Sequence, residues 1–261
     1  MTLQAMALQA MTAHRLEFRG ISKSFGTMTV LDDISLTVND GEFVTIVGPS
    51  GAGKSTILRL LTGTEKASSG DIVFDRQPLS ESAATFAFMP QRDALMPWSR
   101  IIDNATLGLR VQGMDRKAAR AIVKPLFEPF GLAGFENYYP AQLSGGMRQR
   151  VALLRTVVQK HDMLLLDEPL GALDALTRTQ MQEWLQTMWA DHRWTALLIT
   201  HDVREAVFLS DRIYVLSPRP ARIIREIHVP VPRPRKLADL ADASVRDIEA
   251  DILETLLHRP S

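Results

Sequence analysis

The chain has 261 residues and a hydrophobic content of 46%, enough for one large domain, or a domain with an appendage, around a sizeable core. Lys plus Arg and Asp plus Glu both number 30, so the formal net charge is +0, which excludes the strong basic field of a nucleic-acid binder. The absence of cysteine excludes disulfides and thiolate metal sites, and it agrees with a reducing cytosol.

The opening MTLQAMALQAMTAHR lacks a basic start followed by a continuous apolar stretch, so it does not read as a signal peptide. Residues 1–14 are expected to form a flexible extension, and Met6 or Met11 could be an alternative start. LEFRG (16–20) and VLDDISLTV (30–38) alternate as half-buried antiparallel strands do, with a turn at Phe25-Gly26. FVTIVG (43–48) is different, a short continuous apolar run ending in glycine. MLLLD (163–167) and TALLIT (195–200) look the same, as strands buried on both faces of a parallel sheet do. Helical patterns follow them at Lys54–Leu61, Ala175–Trp189 and Val203–Leu209, and this alternation predicts an α/β core.

A mainly helical insert is predicted over about residues 95–160. It follows TFAFM (85–89) and a proline-bearing loop, MPQRDALMPW (89–98), whose Leu95, Met96, Pro97 and Trp98 form an apolar knuckle. Near the end, VPVPRPR (229–235) marks a break, and VRDIEADILETLLHR (245–259) reads as an amphipathic helix. No apolar run approaches the ~18 residues that span a bilayer. The protein is therefore expected to stay in the cytosol while docking on something in the membrane.

Gly48, Pro49, Ser50, Gly51, Ala52, Gly53, Lys54, Ser55 and Thr56 follow a buried strand and open a helix, fitting G-x-x-x-x-G-K-[ST]. Glycines let backbone N–H groups converge on phosphate oxygens, and the helix N-terminus adds its dipole. Lys54 is expected to reach the β- and γ-phosphates, and the Ser55 hydroxyl to ligate Mg²⁺. A chance glycine-rich turn is the competing reading, and the strand–loop–helix context argues against it. Such a loop needs an acid for the metal shell and a group to position the attacking water. MLLLDEP supplies Asp167 for the first and Glu168 as general base for the second. Ser144, Gly145 and Gly146 suggest an N-cap with open N–H groups, either a plain capped helix or a second anion half-site. His201 ends the strand TALLIT, where open α/β sheets bind ligands, and could touch a γ-phosphate. Phe25 could stack on adenine or belong to the core.

In this order the motifs resemble those of the ATP-binding subunits of ABC transporters, from about residue 15 to the C-terminus. GPSGAGKS resembles Walker A, Gln91 the Q-loop, LSGGM the signature, MLLLDEP Walker B, Ala172-Leu173-Asp174 the D-loop and His201 the switch histidine. Phe25 holds the place of the adenine-stacking aromatic. The resemblance implies a P-loop NTPase core of ABC-ATPase type, with an antiparallel β subdomain and an inserted helical subdomain. It implies a nucleotide-binding domain over 15–229, with 230–261 as a C-terminal segment. It also implies ATP and Mg²⁺ as cofactors, with Gln91 sensing both, and a head-to-tail homodimer sandwiching two ATP. The P-loop of one copy would then face Ser144, Gly145 and Gly146 of the other, with Asp174 nearby. A membrane permease would dock near Leu95–Trp98 on the cytoplasmic face, with a solute-binding protein acting from outside.

LMPWSRIIDNATLGL, YPAQLSGGMRQRVAL and DEPLGALDALTRTQMQEWL resemble importers of nitrate, sulfonate and taurine. MPQRDALMPW also resembles relatives that import hydroxymethylpyrimidine and other vitamin precursors. Met147 replaces the commoner glutamine, VALLRT stands where VALARA is usual, and Asp162 stands where proline is common. None of these removes a phosphate, metal or water ligand. The competing class is a soluble ABC ATPase not linked to transport. Such proteins usually carry tandem cassettes or long coiled coils, and this chain has one P-loop and no heptads.

Overall fold

The computed structural model describes residues 14–82 and 86–257. The expected N-terminal extension therefore lies almost wholly outside the described residues, as do Thr85 and the last residues of the predicted C-terminal helix. The chain divides into two compact units. One holds the described residues of Met1–Ala84 and Gln182–Ser261, the other those of Thr85–Met181.

In the first unit, β1 (Leu16–Phe25) and β2 (Met28–Val38) pair antiparallel, with Phe25 opposite Met28. The turn is thus Gly26-Thr27, one residue later than the sequence suggests, with Gly26 at φ 59°. β1 runs five residues past LEFRG because its register shifts repeatedly, which blurs the simple alternation. β4 (Ser69–Phe74) and β5 (Gln77–Pro78) complete a four-stranded sheet in the order β2-β1-β4-β5.

β3 (Phe43–Val47) and β8 (Ala196–Thr200) are parallel neighbours, and every residue of both is buried. β9 (Arg212–Leu216) lies parallel on the other side of β3, and β10 (Ile223–His228) pairs antiparallel with β9. The alternation of strand and helix does not announce β9 and β10, because no helix separates them. Arg212, 6% exposed, donates to both carboxylate oxygens of Glu42 at 2.8 Å and to the Thr37 carbonyl at 2.9 Å, tying β9 to β2 and to the turn that enters β3. Helices α1 (Lys54–Leu61), α7 (Val203–Leu209) and α8 (Ala243–Leu257) belong to this unit.

In the second unit, β6 (Phe86–Met89) and β7 (Met163–Asp167) are parallel. Between them lie α2 (Ile101–Ala105), α3 (Leu107–Val111), α4 (Arg116–Val123) and α5 (Gly145–Val157). α6 (Ala175–His192) follows β7 and from Gln182 on belongs to the first unit. Asp115 caps α4 by accepting from the amides of Lys117 and Ala118.

Asp103 on α2 is 5% exposed, and Arg116 and Arg120 of α4 each donate to both of its oxygens at 2.7–3.0 Å. Burial alone would raise this carboxyl, but the two guanidiniums hold it down at about 2. A carboxyl depressed on folding stabilises the fold above its unfolded value, and that contribution is lost as pH falls from about 4 towards 2. Asp103→Asn is expected to cost on the order of 2 kcal/mol near neutral pH and to flatten the acid limb of stability, measured by urea melts.

Candidate functional site

β3 delivers the chain to Gly48, which lies hard against β9. A Cβ there would sit 3.0 Å from the Leu216 Cβ and 3.2 Å from its carbonyl oxygen. The loop then turns through Gly51 at φ 78° and Gly53 at φ 113°. At Gly53 a Cβ would meet side-chain carbons of Val30 and Leu31, both at 2.9 Å, so backbone conformation and packing both demand glycine. Helix α1 starts with no side-chain cap and no acid in its first turn. Its first amides and the positive end of its dipole therefore face the loop.

Lys54 is buried and donates to the Gly48 carbonyl at 2.8 Å and the Pro49 carbonyl at 3.0 Å, which carries its ammonium back over the loop. Ala52 is buried and donates from its amide to the Pro49 carbonyl. Ser50 and Ser55 are exposed, whereas Thr56 is buried with its amide on the Gly53 carbonyl. Phe25 is exposed, with the Lys23 ammonium 4.6 Å from its ring centre, so the core alternative for this residue does not hold.

His201 is exposed between Thr200, the last residue of β8, and Asp202, which caps α7 by accepting from the Glu205 amide. Sequence reasoning missed Arg219. Its guanidinium lies 3.8 Å from the position a Cβ on Gly51 would take, and among the described residues no carboxylate pairs with it. The only cue in the sequence was its place in SPRPAR after β9, which carries no phosphate signature.

In the second unit, Gln91 donates from Nε2 to the Glu168 carboxylate at 2.9 Å, joining two residues 77 positions apart. Asp167 ends β7, and Glu168 after it has φ 44°, a left-handed conformation that costs a non-glycine residue on the order of 1–3 kcal/mol. Gly171 allows this turn by donating its amide to the Glu168 carbonyl at 3.1 Å. Ser144 caps α5, accepting from the Met147 amide at 3.3 Å, and leaves the amides of Gly145 and Gly146 at the helix start. A Cβ on Gly146 would lie 2.6 Å from the Thr177 methyl, so glycine is what lets α5 approach α6. Asp174 is exposed and accepts from the Thr177 amide at 3.0 Å, and hydrogen bonding from Thr177 holds its carboxyl below the usual range.

The proline-bearing loop after Gln91 is gripped by two buried side chains. Arg155 donates to the carbonyls of Asp93 and Ala94 at 2.7 and 2.8 Å. Asn104 accepts from the Met96 amide at 2.6 Å and donates to the carbonyls of Met96 and Ser99. Arg148, four residues after Ser144, donates to Asp93 at 2.9 Å. The expected apolar knuckle is corrected in one respect: Leu95 is 8% exposed and faces inward, whereas Trp98 is 76% exposed. The turn at Asp93, whose Oδ1 accepts from the Leu95 amide, points Leu95 into the core.

The α/β architecture and the phosphate loop define a P-loop ATPase of the ABC type. Residues 31–171 match the family described as ABC transporter, and the chain belongs to that family. Over 93% of its length it is 45% identical to the aliphatic sulfonates import ATP-binding protein SsuB of Pectobacterium atrosepticum, covering 87% of that protein. It is 44% identical to SsuB 2 of Pseudomonas aeruginosa, over 94% of this chain and 85% of that one. It is 42% identical to the formylaminopyrimidine import ATP-binding protein ThiZ of Halalkalibacterium halodurans, over 87% and 89%. Among solved structures, the dimeric structure of MJ0796, a bacterial ABC transporter cassette, is similar with TM-score 0.70 and 26% identity, covering 83% of this chain and 99% of that one. The post-hydrolysis dimer of MJ0796 bound to ADP and Pi matches equally well, with the same TM-score, identity and coverage.

Proposed function

We propose that this protein is the ATP-hydrolysing subunit that energises import of a small solute through a membrane permease. The observation that carries the reading is the Gly48–Ser55 loop, whose Gly48 and Gly53 are closely packed and whose lysine curls over an uncapped helix start. Relatives named for import of sulfonates and formylaminopyrimidine support a solute of sulfonate or pyrimidine-precursor type. Within it, residues 15–229 form the nucleotide-binding domain, 95–160 its helical subdomain and 230–261 a C-terminal segment. Two copies pair head to tail around two ATP, on the cytoplasmic face of the membrane. Relatives of the soluble, transport-independent class are not favoured, since the named ones are importers.

Amides from Gly51 to Thr56 and the Lys54 ammonium hold the phosphates. Among the described residues no three His, Asp or Glu side chains converge on a metal. That fits Mg²⁺, which takes one or two protein ligands and completes its shell with phosphate and water. Ser55, Asp167 and Gln91 are the residues that would hold it, and its chemistry is to neutralise charge on the phosphates. Glu168 takes the proton of the attacking water, Gln91 and His201 orient the γ-phosphate, and Phe25 stacks on adenine. Ser144, Gly145 and Gly146 receive the γ-phosphate of the second copy, beside Asp174.

Ser144→Arg is expected to abolish ATP turnover with nucleotide affinity retained. Loss of ATP binding in that variant would remove the signature from the shared site. Trp98→Ala is expected to weaken permease docking, read by co-purification, with basal turnover unchanged. A fall in basal turnover alone would sink the docking role. Arg219→Ala is expected to raise the KM for ATP about twofold to fivefold, the worth of an exposed, solvent-screened ion pair with phosphate.

A further inference from the structure

We propose that Arg233 and Arg235 are positioning residues for His201: they clamp the carbonyl end of α7, the helix whose opposite end begins two residues after that histidine. The proposal rests on the reading of His201 as a γ-phosphate group.

The geometry is unusual for a surface tail. Arg235 is 3% exposed and donates to the carbonyls of Val207 and Phe208 at 3.0 Å and of Ser210 at 2.7 Å. Arg233 donates to the Leu209 carbonyl, to Gln186 Oε1 at 3.1 Å and to Asp211 at 3.3 Å. Its guanidinium stacks 3.8 Å from the Trp189 ring centre and 5.1 Å from that of Phe43. Gln186 Nε2 donates to the Phe208 carbonyl as well. The final carbonyls of α7, which no helical amide can satisfy, are thereby held by side chains. They also form the negative end of the helix dipole, where cations are favoured.

Burial pushes both guanidiniums down to about 10, yet both stay charged at neutral pH. Buried carbonyls at a helix end need hydrogen-bond donors, but a neutral amide such as that of Gln186 can supply one, and burying two cations is costly. What the guanidiniums add is a fixed position, because a planar fork meets carbonyls in one geometry.

That position is transmitted. α7 has seven residues, so it is about 10 Å long and its ends move together. At the other end the Asp202 amide donates to Thr200 Oγ1 at 3.1 Å, bracketing His201 between residues tied to each other. The C-terminal helix α8 packs on α7 and reaches this end too. Its Glu249 has a buried Oε1 that meets no hydrogen-bond partner among the described residues. That carboxyl is raised by burial, and the charges of Arg204 in the first turn of α7 and of Asp202 at its cap act on it. The segment from Val229 to Leu257 thus meets α7 at both ends.

The test is a double-mutant cycle of Arg235→Gln with His201→Ala in the full-length chain, reading kcat, KM and nucleotide affinity with Mg·ATP, and circular dichroism. Arg235→Gln alone is expected to lower kcat on the order of 10- to 100-fold, as sub-ångström misplacement of a reacting group does, with KM within about twofold. In the His201→Ala background the same change is expected to cost less than about twofold, because its effect passes through the imidazole. Equal losses in both backgrounds, or an undiminished kcat in a folded Arg235→Gln variant, would overturn the clamp. Should Arg235→Gln not fold, Arg233→Gln, which keeps the Arg235 bonds, carries the same cycle with the same criteria.

A second readout does not depend on catalysis. The ring Cε1–Hε1 NMR signal of His201, identified by its loss in His201→Ala, is expected to shift in Arg233→Gln, and an unmoved signal would overturn the proposal. If His201→Ala keeps the wild-type kcat, the reading of His201 as a γ-phosphate group falls, and the NMR shift alone then decides the clamp.

Discussion

Glu168→Gln is expected to reduce ATP turnover about 10²- to 10⁴-fold, the worth of a positioned general base, while ATP affinity stays within about twofold. The structure makes this substitution a clean test. Gln91 donates to Glu168 at 2.9 Å, and a glutamine oxygen at the same place still accepts that bond. The left-handed backbone at residue 168 and the Gly171 amide on its carbonyl involve no side-chain atom. The variant therefore loses the base and keeps the geometry. With Mg·ATP it is also expected to accumulate as a dimer, read by light scattering. Turnover at the wild-type rate would show that the proton goes elsewhere.

Gly53→Ala is the second large effect. At φ 113° an alanine is strained, and its methyl would lie 2.9 Å from carbons of both Val30 and Leu31. These carbons belong to buried residues of β2, so neither can retreat without opening the core. The loop must shift instead, and two misdirected charge-assisted N–H contacts at about 1.5–3 kcal/mol each correspond to at least on the order of 10²-fold in affinity. Titration with a fluorescent ATP analogue measures this directly, and a melting curve reports the accompanying strain. Retained affinity would mean that the amides around Gly53 do not bind phosphate.

Much of the fold was legible in the chain because burial leaves a periodic imprint. The buried strands at 43–47, 163–167 and 196–200 are continuous apolar runs, and the helices after them carry their own spacing. Strands β4, β9 and β10 were not set apart. β4 and β10 are largely exposed, so they lack a strong pattern, and β9 has no helix to separate it from its neighbour. Phe25 shows the same limit at a single residue. An aromatic at a strand end satisfies both a core pattern and a stacking pattern, and its exposure decides against the core.

The sequence by itself determined the chemistry that is local in the chain. Nine consecutive residues build the phosphate loop, and the signature and DEP stretches carry their caps and acids within a few positions, since turns and helix starts are made by neighbours. Tertiary structure alone decided what depends on distance through space. It put Gln91 on Glu168, turned Leu95 inward and Trp98 outward, and set Arg219 beside Gly51. It also carried Arg233 and Arg235 to the far end of the helix that follows His201. An arginine looks the same in sequence whether it faces water or a row of carbonyls. Only the folded chain brings those carbonyls, more than twenty residues away, within hydrogen-bond reach.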